Sequence, residues 1–587
     1  MQSRITEELT DIVSKAFAAA ELDPSLGAVR PADRPDLAQF QCNGALAAAK
    51  AAKQNPRALA EKIVETLRDN PILSDITIAG PGFINLKVSD EALGERVAAL
   101  GKDDLVGGWR SNQVEKIVVD YGGPNVAKPL HVGHLRAAII GEAIKRLMRF
   151  VGHDAVGDVH LGDWGLPMGQ LITELALEQP ALPYFDEGFD GTYPDTSPVT
   201  LDDLSRLYPQ ASAACKENDE RAAAARAATA ELQAGRRGYL ALWAHFVAVS
   251  REAIEREYAD LGVSFEFWKG ESDADPYIQK MADDLRAKGL TEKDAGAEIV
   301  RVARETDKKE LPPLILFKSD GSVLYGTTDL ATIVDRVEVL SPDRILYVVD
   351  QRQGLHFEQV FRAAGMAGLF PEDRLEHLGF GTMNGRDGKP FKTRAGGVLK
   401  LRDLIDTVDQ KALERLRDGG FAQDVPEDDL KRIARQVGVA ALKFADLSNP
   451  RTTDYVFDVD KFMSFEGKTG PYLLYARVRI RSLIERAGGA PEHGAIKLKD
   501  PAERDLALAL LGFGDAVRTA TTKRMPHFLC EHAFSLAQAF SKFYASCRVA
   551  DEADEALRTS RLLLAKTTGK QLDTIFGILG IDAPRRM

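Results

Sequence analysis

Two histidines three positions apart, His131 and His134, with Gly133 between them, carry the most pointed chemistry in the chain. Residues at i and i+3 share one face of a helix. At the first turn of a helix, free N–H groups and the macrodipole favour an anion. Imidazole N–H groups placed there add hydrogen bonds to phosphate oxygens as charge moves during reaction. Gly133 lets a flat base lie against the backbone, where any Cβ would obstruct it. The pair has two other readings, a zinc pair or two hydrogen-bonded surface histidines. Zinc usually takes a third protein ligand, and the HExxH pattern with its glutamate is absent.

A second basic segment, Lys389-Pro-Phe-Lys392-Thr-Arg394, is flanked by Gly385 and Gly388 before it and by Gly396 and Gly397 after it. Glycines on both sides suit a mobile lid, and a solvated basic hairpin is the plainer alternative. Tyr325 and Asp329 stand four apart, so a helix starting near Gly326 turns both toward one pocket. Taken alone, Asp329 reads as an ordinary acid near a helix N-terminus.

These residues need elements to hold them. Lys116–Asp120 reads as a buried strand, followed by a Gly122-Gly123-Pro124-Asn125 loop and an amphipathic helix from about Val132 to Phe150. Strand, loop and helix in that order open a parallel, doubly wound α/β domain. Further strands are expected at Leu314–Phe317, Arg344–Val349 and Leu378–Phe380, each followed by a helical stretch. Residues 1–105 read as a small α+β unit with strands at Ile76–Ala79 and Phe83–Val88, and Gly101–Asn112 as a linker. The α/β domain is expected over 113–400, with an Ala-rich helical insertion around 180–240. A helical stem, 401–465, leads into an all-α bundle, 466–587, entered at Gly467-Lys-Thr-Gly-Pro471.

A length of 587 residues agrees with this division, since ~150 residues per domain gives three or four domains. With 44% hydrophobic and 28% charged residues, the composition excludes collagenous, disordered and disulfide-framed classes. Cys42, Cys215, Cys530 and Cys547 are scattered singly, which points to a reducing compartment. No apolar run approaches the ~18–20 residues of a membrane span, and the first residues lack a signal-peptide pattern, so a cytoplasmic protein without membrane contact is expected. The net charge is −12, yet residues 471–587 carry 18 basic and 13 acidic residues, a local +5. A basic module on an acidic body suits local phosphate contact, and chance surface variation explains it as readily.

With these motifs in place, the chain resembles the class I aminoacyl-tRNA synthetases, and among them the arginyl-tRNA synthetases. His131-Val-Gly-His134 is similar to the family's HIGH motif, and Asp120-Tyr-Gly-Gly-Pro-Asn-Val-Ala-Lys128 to its arginyl-specific lead-in. His160-Leu-Gly-Asp-Trp-Gly165, Leu324-Tyr-Gly-Thr-Thr-Asp329, Asp350-Gln-Arg-Gln353, Phe391-Lys-Thr-Arg-Ala-Gly-Gly397 and Gly470-Pro-Tyr-Leu-Leu-Tyr475 continue the likeness in order along the chain. The resemblance implies a Rossmann-like catalytic domain, an N-terminal domain that touches the tRNA elbow, and a DALR-type anticodon-binding bundle. It also implies the reaction. L-arginine and ATP, the latter with Mg²⁺, give arginyl-adenylate, and arginine then passes to the 3′-terminal adenosine of tRNA-Arg. A monomer without protein-bound metal is the family expectation, and arginine activation that requires tRNA is another.

Site residues follow from the same resemblance. His131 and His134 would contact the triphosphate, with Lys128 and Lys392 supplying positive charge. The KMSKS loop of class I enzymes survives only in degraded form at Lys389–Arg394, so Lys392 is its candidate lysine. ATP would also meet Pro124, Gly133, Gly379, Phe380 and Lys389. A guanidinium is planar, always charged and recognised bidentately by carboxylates. Asp329 would therefore be its partner, with Tyr325 packed over its plane and Glu271 a second carboxylate. Gly123, Asn125, His134 and Gln353 complete the arginine pocket. For tRNA, the resemblance points to Phe83 and Asn85, a base-stacking ring and an edge-reading amide, although Phe83 fits a core position equally well. In the bundle, Tyr472, Tyr475 and Arg479 suit stacking and phosphate contact, and Met587 matches the family's chain end.

Overall fold

The computed structural model describes residues 5–32, 38–389, 399–420 and 425–587. In the N-terminal unit, β1 (Val29–Pro31), β2 (Phe40–Cys42), β3 (Leu73–Ala79) and β4 (Phe83–Val88) form an antiparallel sheet in the order β1-β2-β4-β3. Alternation along β4 decides its faces. Ile84, Leu86 and Val88 are buried beneath the helices Ile5–Ala19 and Pro56–Leu67, while Phe83, Asn85 and Lys87 lie on the other face. The β3–β4 turn places Gly80 and Gly82 at φ +50° and +147°, which a side chain would strain.

The main sheet is parallel throughout, in the order β12-β11-β5-β6-β7. Its strands are β5 (Lys116–Tyr121), β6 (Asp154–Leu161), β7 (Phe267–Gly270), β11 (Arg344–Val348) and β12 (Leu375–His377). The chain builds outward from β5 to β7, then returns to the other side of β5, so strand direction of travel reverses between β5 and β11. That reversal opens a crevice at the carboxyl ends of the two strands, where doubly wound sheets bind ligands. Ile117, Val118 and Val119 have no solvent exposure, as a central strand covered on both faces requires.

Two expected strands differ. Leu314–Phe317 forms a strand, but in a separate antiparallel sheet with β8 (Thr291–Asp294) and β9 (Ala297–Val300). Ala295 and Gly296, both at positive φ, close the β8–β9 hairpin and fix the antiparallel course. The last strand of the main sheet falls on Leu375–His377, three residues before the expected Leu378–Phe380. Leu378 still donates to the Tyr347 carbonyl (2.8 Å), and Gly379 then turns against Gln351, where a Cβ would stand 3.1 Å from the Gln351 Cα.

Between β6 and β7 the chain adds the helices Leu201–Glu217, Asp219–Gln233 and Arg237–Asp260, packed on Leu166–Glu178. Beyond residue 400 the described chain is nearly all helix. The stem helices Leu401–Asp418 and Glu427–Leu447 lead to a bundle that ends with Glu555–Leu579. One hydrophobic core runs from the parallel sheet through the stem into the bundle. The helix Val132–Phe150 crosses its centre. Glu142 there accepts from the Tyr121 hydroxyl (2.7 Å) and pairs with Arg146, whose Nη1 donates to the Gly577 carbonyl (3.1 Å).

The helix Tyr325–Leu340 is tied to the sheet by Arg336, 1% exposed, which donates to Asp120 Oδ2 (2.6 Å) and Asp158 Oδ2 (2.9 Å). Truncating one partner of a buried ion cluster strands the others without a countercharge. Arg336→Met is expected to destabilise the fold by ~3–5 kcal/mol, read as a lower urea midpoint. A midpoint within error of the parent would show that the cluster does not anchor this helix.

Candidate active site

A cleft of about 600 Å³ occupies the crevice between β5 and β11. His131 is the N-cap of the helix Val132–Phe150, and its Nδ1 accepts the Gly133 N–H (3.0 Å). His134 reaches back, and its Nδ1 accepts the His131 N–H (3.1 Å). The two side chains thus satisfy two free donors of the first turn reciprocally. Because each Nδ1 is an acceptor, each neutral ring carries its proton on Nε2. Burial, and then the neighbouring Lys128 charge, lower the His131 pKa. Burial, His131 and Lys128 together push His134 down to about 3. The rings pack with centroids 3.9 Å apart. A Cβ on Gly133 would stand 2.7 Å from His131 Cε1, so the glycine also makes room for the ring.

The opposite wall is acidic. Tyr325, Asp329, Glu271, Gln353, Asn125 and Gly123 line the same cleft, as do His134, Gly133 and Phe380. Tyr325 and Asp329 stand on the first turns of the helix Tyr325–Leu340, with Tyr325 74% exposed at the mouth. Glu271 begins the helix Glu271–Ala287, and burial raises its pKa against the lowering effect of His160. The Pro124-Asn125 loop is laid against the end of β6, with the Pro124 carbonyl accepting the Gly162 N–H (3.1 Å). A Cβ on Gly162 would fall 2.1 Å from Asn125 Oδ1.

The structure adds residues that pattern reasoning passed over. His356 Nε2 lies 2.5 Å from Asp329 Oδ2, so the carboxylate already has a partner. Its signal was available, since His356 lies three residues after Gln353, in the first turn of the helix Gly354–Ala367. His160 also lines the cleft, with both ring nitrogens buried and unbonded among the described residues. Asp120, Tyr347 and Asp350 lie at the ends of β5 and β11. Asp120 and Asp350 each open a family-like motif without a role of their own, and strand-end position was the only mark of Tyr347.

Other expected ATP contacts stand away from the cleft. Lys128 does not line it; its Nζ sits 4.5 Å from the centroid of the Tyr208 ring. Pro124 is buried behind the loop, and Gly379 packs behind Phe380 with its carbonyl taken by Arg451. Lys389 is exposed at the close of a turn in which its carbonyl accepts the Gly385 N–H (2.8 Å). Lys392 lies outside the described residues.

The expected tRNA contacts divide in the same way. Phe83 is half-buried on the outer sheet face. Asn85 is 7% exposed and its Oδ1 accepts from Gln41 Nε2 (2.9 Å), so reading a base edge would require that pair to open. Tyr472 turns inward, edge-on to Phe534 and 3.3 Å from Ser541 Oγ. Arg479 lies over both Tyr475 (4.6 Å) and Tyr544 (5.3 Å), and Met587 packs on the main core. Arg477 is committed to Asp573 (2.6 Å).

Family models place the chain among known proteins. Residues 97–459 match "tRNA synthetases class I (R), catalytic domain", 473–587 match "DALR anticodon binding domain", and 3–88 match "Arginyl tRNA synthetase N terminal domain". The arginine–tRNA ligase of Maricaulis maris is 54% identical over 585 residues, 99% of this chain and 100% of its own. That of Alkaliphilus oremlandii is 46% identical over 587 residues, again 99% and 100%. Among solved structures, the Plasmodium falciparum arginyl-tRNA synthetase has a TM-score of 0.82 at 26% identity, covering all of both chains. The Thermus thermophilus enzyme, at 22% identity, shares the fold with a TM-score of 0.79 over 99% and 100%.

The depressed pKa of His134 has a sign that can be tested. An unfolded histidine titrates near ~6.5. The neutral buried ring therefore contributes stability that is complete above that value and is lost as the pH falls toward about 3. Imidazole ¹⁵N spectra are expected to show His134 as the Nε2–H tautomer, uncharged at pH 5. A His134 signal titrating near 6.5 would contradict the buried cap.

Proposed function

The chain belongs to the arginyl-tRNA synthetase family, and from that premise we propose how its own residues share the work. The reaction is arginine–tRNA ligation: the arginine carboxylate attacks the α-phosphorus of ATP, pyrophosphate leaves, and the arginyl group then passes to the 3′-terminal adenosine of tRNA. The observation that carries the division of labour is a single cleft with His134, a neutral N–H donor beside the capping His131, on one wall and carboxylates on the other.

On the first wall, the Nε2–H groups of His131 and His134 hydrogen-bond the phosphate oxygens and follow the charge that builds on the pentavalent phosphorus. Preorganised donors of this kind need no reorganisation at the moment of reaction. Gly133 admits the adenine, and Phe380 bounds it. Lys128 supplies a positive charge near the histidines, and Lys392 supplies a second from the loop. Mg²⁺ enters with ATP as part of the substrate.

On the second wall, Asp329 takes the guanidinium bidentately, and Tyr325 closes over its plane. Arrival of that cation also favours the ionised form of Glu271, which burial otherwise disfavours. Asn125 and Gln353 hold the amino acid backbone, so the carboxylate faces the α-phosphate. Entropy lost in binding is thereby removed from the barrier. The outer face of the N-terminal sheet around Phe83 and Asn85, together with the Tyr475–Arg479 surface and Met587, would meet tRNA-Arg. Four free cysteines support a reducing, cytoplasmic setting, and a monomer is the simplest assembly.

Amino-acid-dependent ATP–pyrophosphate exchange, run with and without tRNA, is expected to respond to arginine alone. His134→Ala is expected to slow single-turnover adenylate formation ~10²–10³-fold while tRNA affinity stays unchanged. Asp329→Ala is expected to raise the KM for arginine ~10–100-fold with little change in the KM for ATP. Normal activation by the first variant, or normal arginine use by the second, would remove that residue from its role.

A further inference from the structure

Lys128 is held in an unusual way. The preceding residue, Ala127, sits at φ +65°, in the left-handed region that side chains avoid. Its N–H is fixed by the buried hydroxyl of Ser250 (2.9 Å), on the helix Arg237–Asp260. The Lys128 side chain then runs to Leu201–Glu217, where its ammonium stands over the face of Tyr208 at 4.5 Å. Both restraints come from the helical insertion between β6 and β7. Among the described residues Lys128 pairs with no carboxylate.

We propose that Tyr208 is a positioning residue for Lys128, holding the ammonium beside the HxGH turn by its ring face so that the charge stays free for the triphosphate. The physical reason lies in what the ring lacks. An aromatic face attracts a cation through its quadrupole yet carries no net charge. A carboxylate in its place would hold the lysine more firmly and cancel the charge that phosphate needs. The charge is felt at the histidines, since Lys128 lowers the pKa of both His131 and His134. Tyr208 is half-buried against the main core, so its ring offers a fixed plate. The insertion is then a buttress for the phosphate side of the cleft.

This rests on the reading of Lys128 as a phosphate contact, and a double-mutant cycle separates the two claims. In ATP–pyrophosphate exchange with saturating arginine and tRNA, Tyr208→Leu is expected to lower kcat/KM for ATP about 5-fold, an effect of ~1 kcal/mol. Tyr208→Phe, which keeps the ring face, is expected to stay close to the parent. Tyr208→Glu is expected to fall below Tyr208→Leu, because it neutralises the lysine it holds. In a Lys128→Ala background, Tyr208→Leu is expected to change nothing further, with the KM for arginine and the melting temperature unmoved. A 5-fold loss that persists without Lys128 would overturn the proposal in favour of a packing role. So would unchanged ATP use by Tyr208→Leu while Lys128→Ala is slow. Full activity of Lys128→Ala itself would instead remove the underlying reading of Lys128, and this inference with it.

Discussion

The reciprocal hydrogen bonds between His131, His134 and the first turn of their helix govern the rest of the active site. They settle the tautomers, because an Nδ1 that accepts leaves the proton on Nε2. They settle the glycine, because ring and Cβ cannot share the space at Gly133. They also fix the height of the donors above the sheet, since the helix they cap passes through the main core. A helix end needs capping in any protein. Here the same two side chains that meet the need each keep an Nε2–H group, which the proposed function assigns to phosphate.

In the proposed function the two walls of the cleft meet opposite substrates by different means. Phosphate would be met by neutral donors whose burial keeps them neutral, and arginine by carboxylates. Neutral donors leave the acids of the opposite wall without a competing cation on the phosphate side. Fixed positive charge stands further out, at Lys128. Behind the acidic wall, Arg336 balances Asp120 and Asp158, so the sheet beneath the site is not left with unpaired buried acids.

The local elements around the chemistry were legible because each is short-range physics. A run of β-branched residues in Lys116–Tyr121, a glycine-proline turn and the apolar periodicity of Val132–Phe150 leave few alternatives. Asp329 and Tyr325 reached one pocket because a helix repeats every 3.6 residues. What pattern could not supply was contact across the chain. The partner of Asp329 is His356, on the next helix. Lys128 is seated by Tyr208 and Ser250, which lie 80 and 122 residues further on. Leu314–Phe317 has the composition of a strand in any sheet, and only the Ala295-Gly296 hairpin assigns it to the antiparallel one. Asn85 has the amide for reading a base edge, yet its cross-strand neighbour Gln41 takes its side chain.

The far end of the HxGH helix has a consequence for how the protein is made. Arg146 bonds to the carbonyl of Gly577, 431 residues later, and the buried Lys443 bonds to that of Gly580 (2.6 Å). A ribosome adding ~5–20 residues per second takes roughly 20–90 s to synthesise that intervening chain. Throughout that interval the nascent α/β domain exposes to water the stretch of its central helix around Arg146 that later meets the helix Glu555–Leu579. The Arg146 charge keeps the waiting surface hydrated where an all-apolar seam would adhere to other chains. In the finished molecule Arg146, still about a third exposed, holds Glu142 of its own helix and the Gly577 carbonyl, so one side chain serves as a solubility tag during synthesis and as a clasp after it.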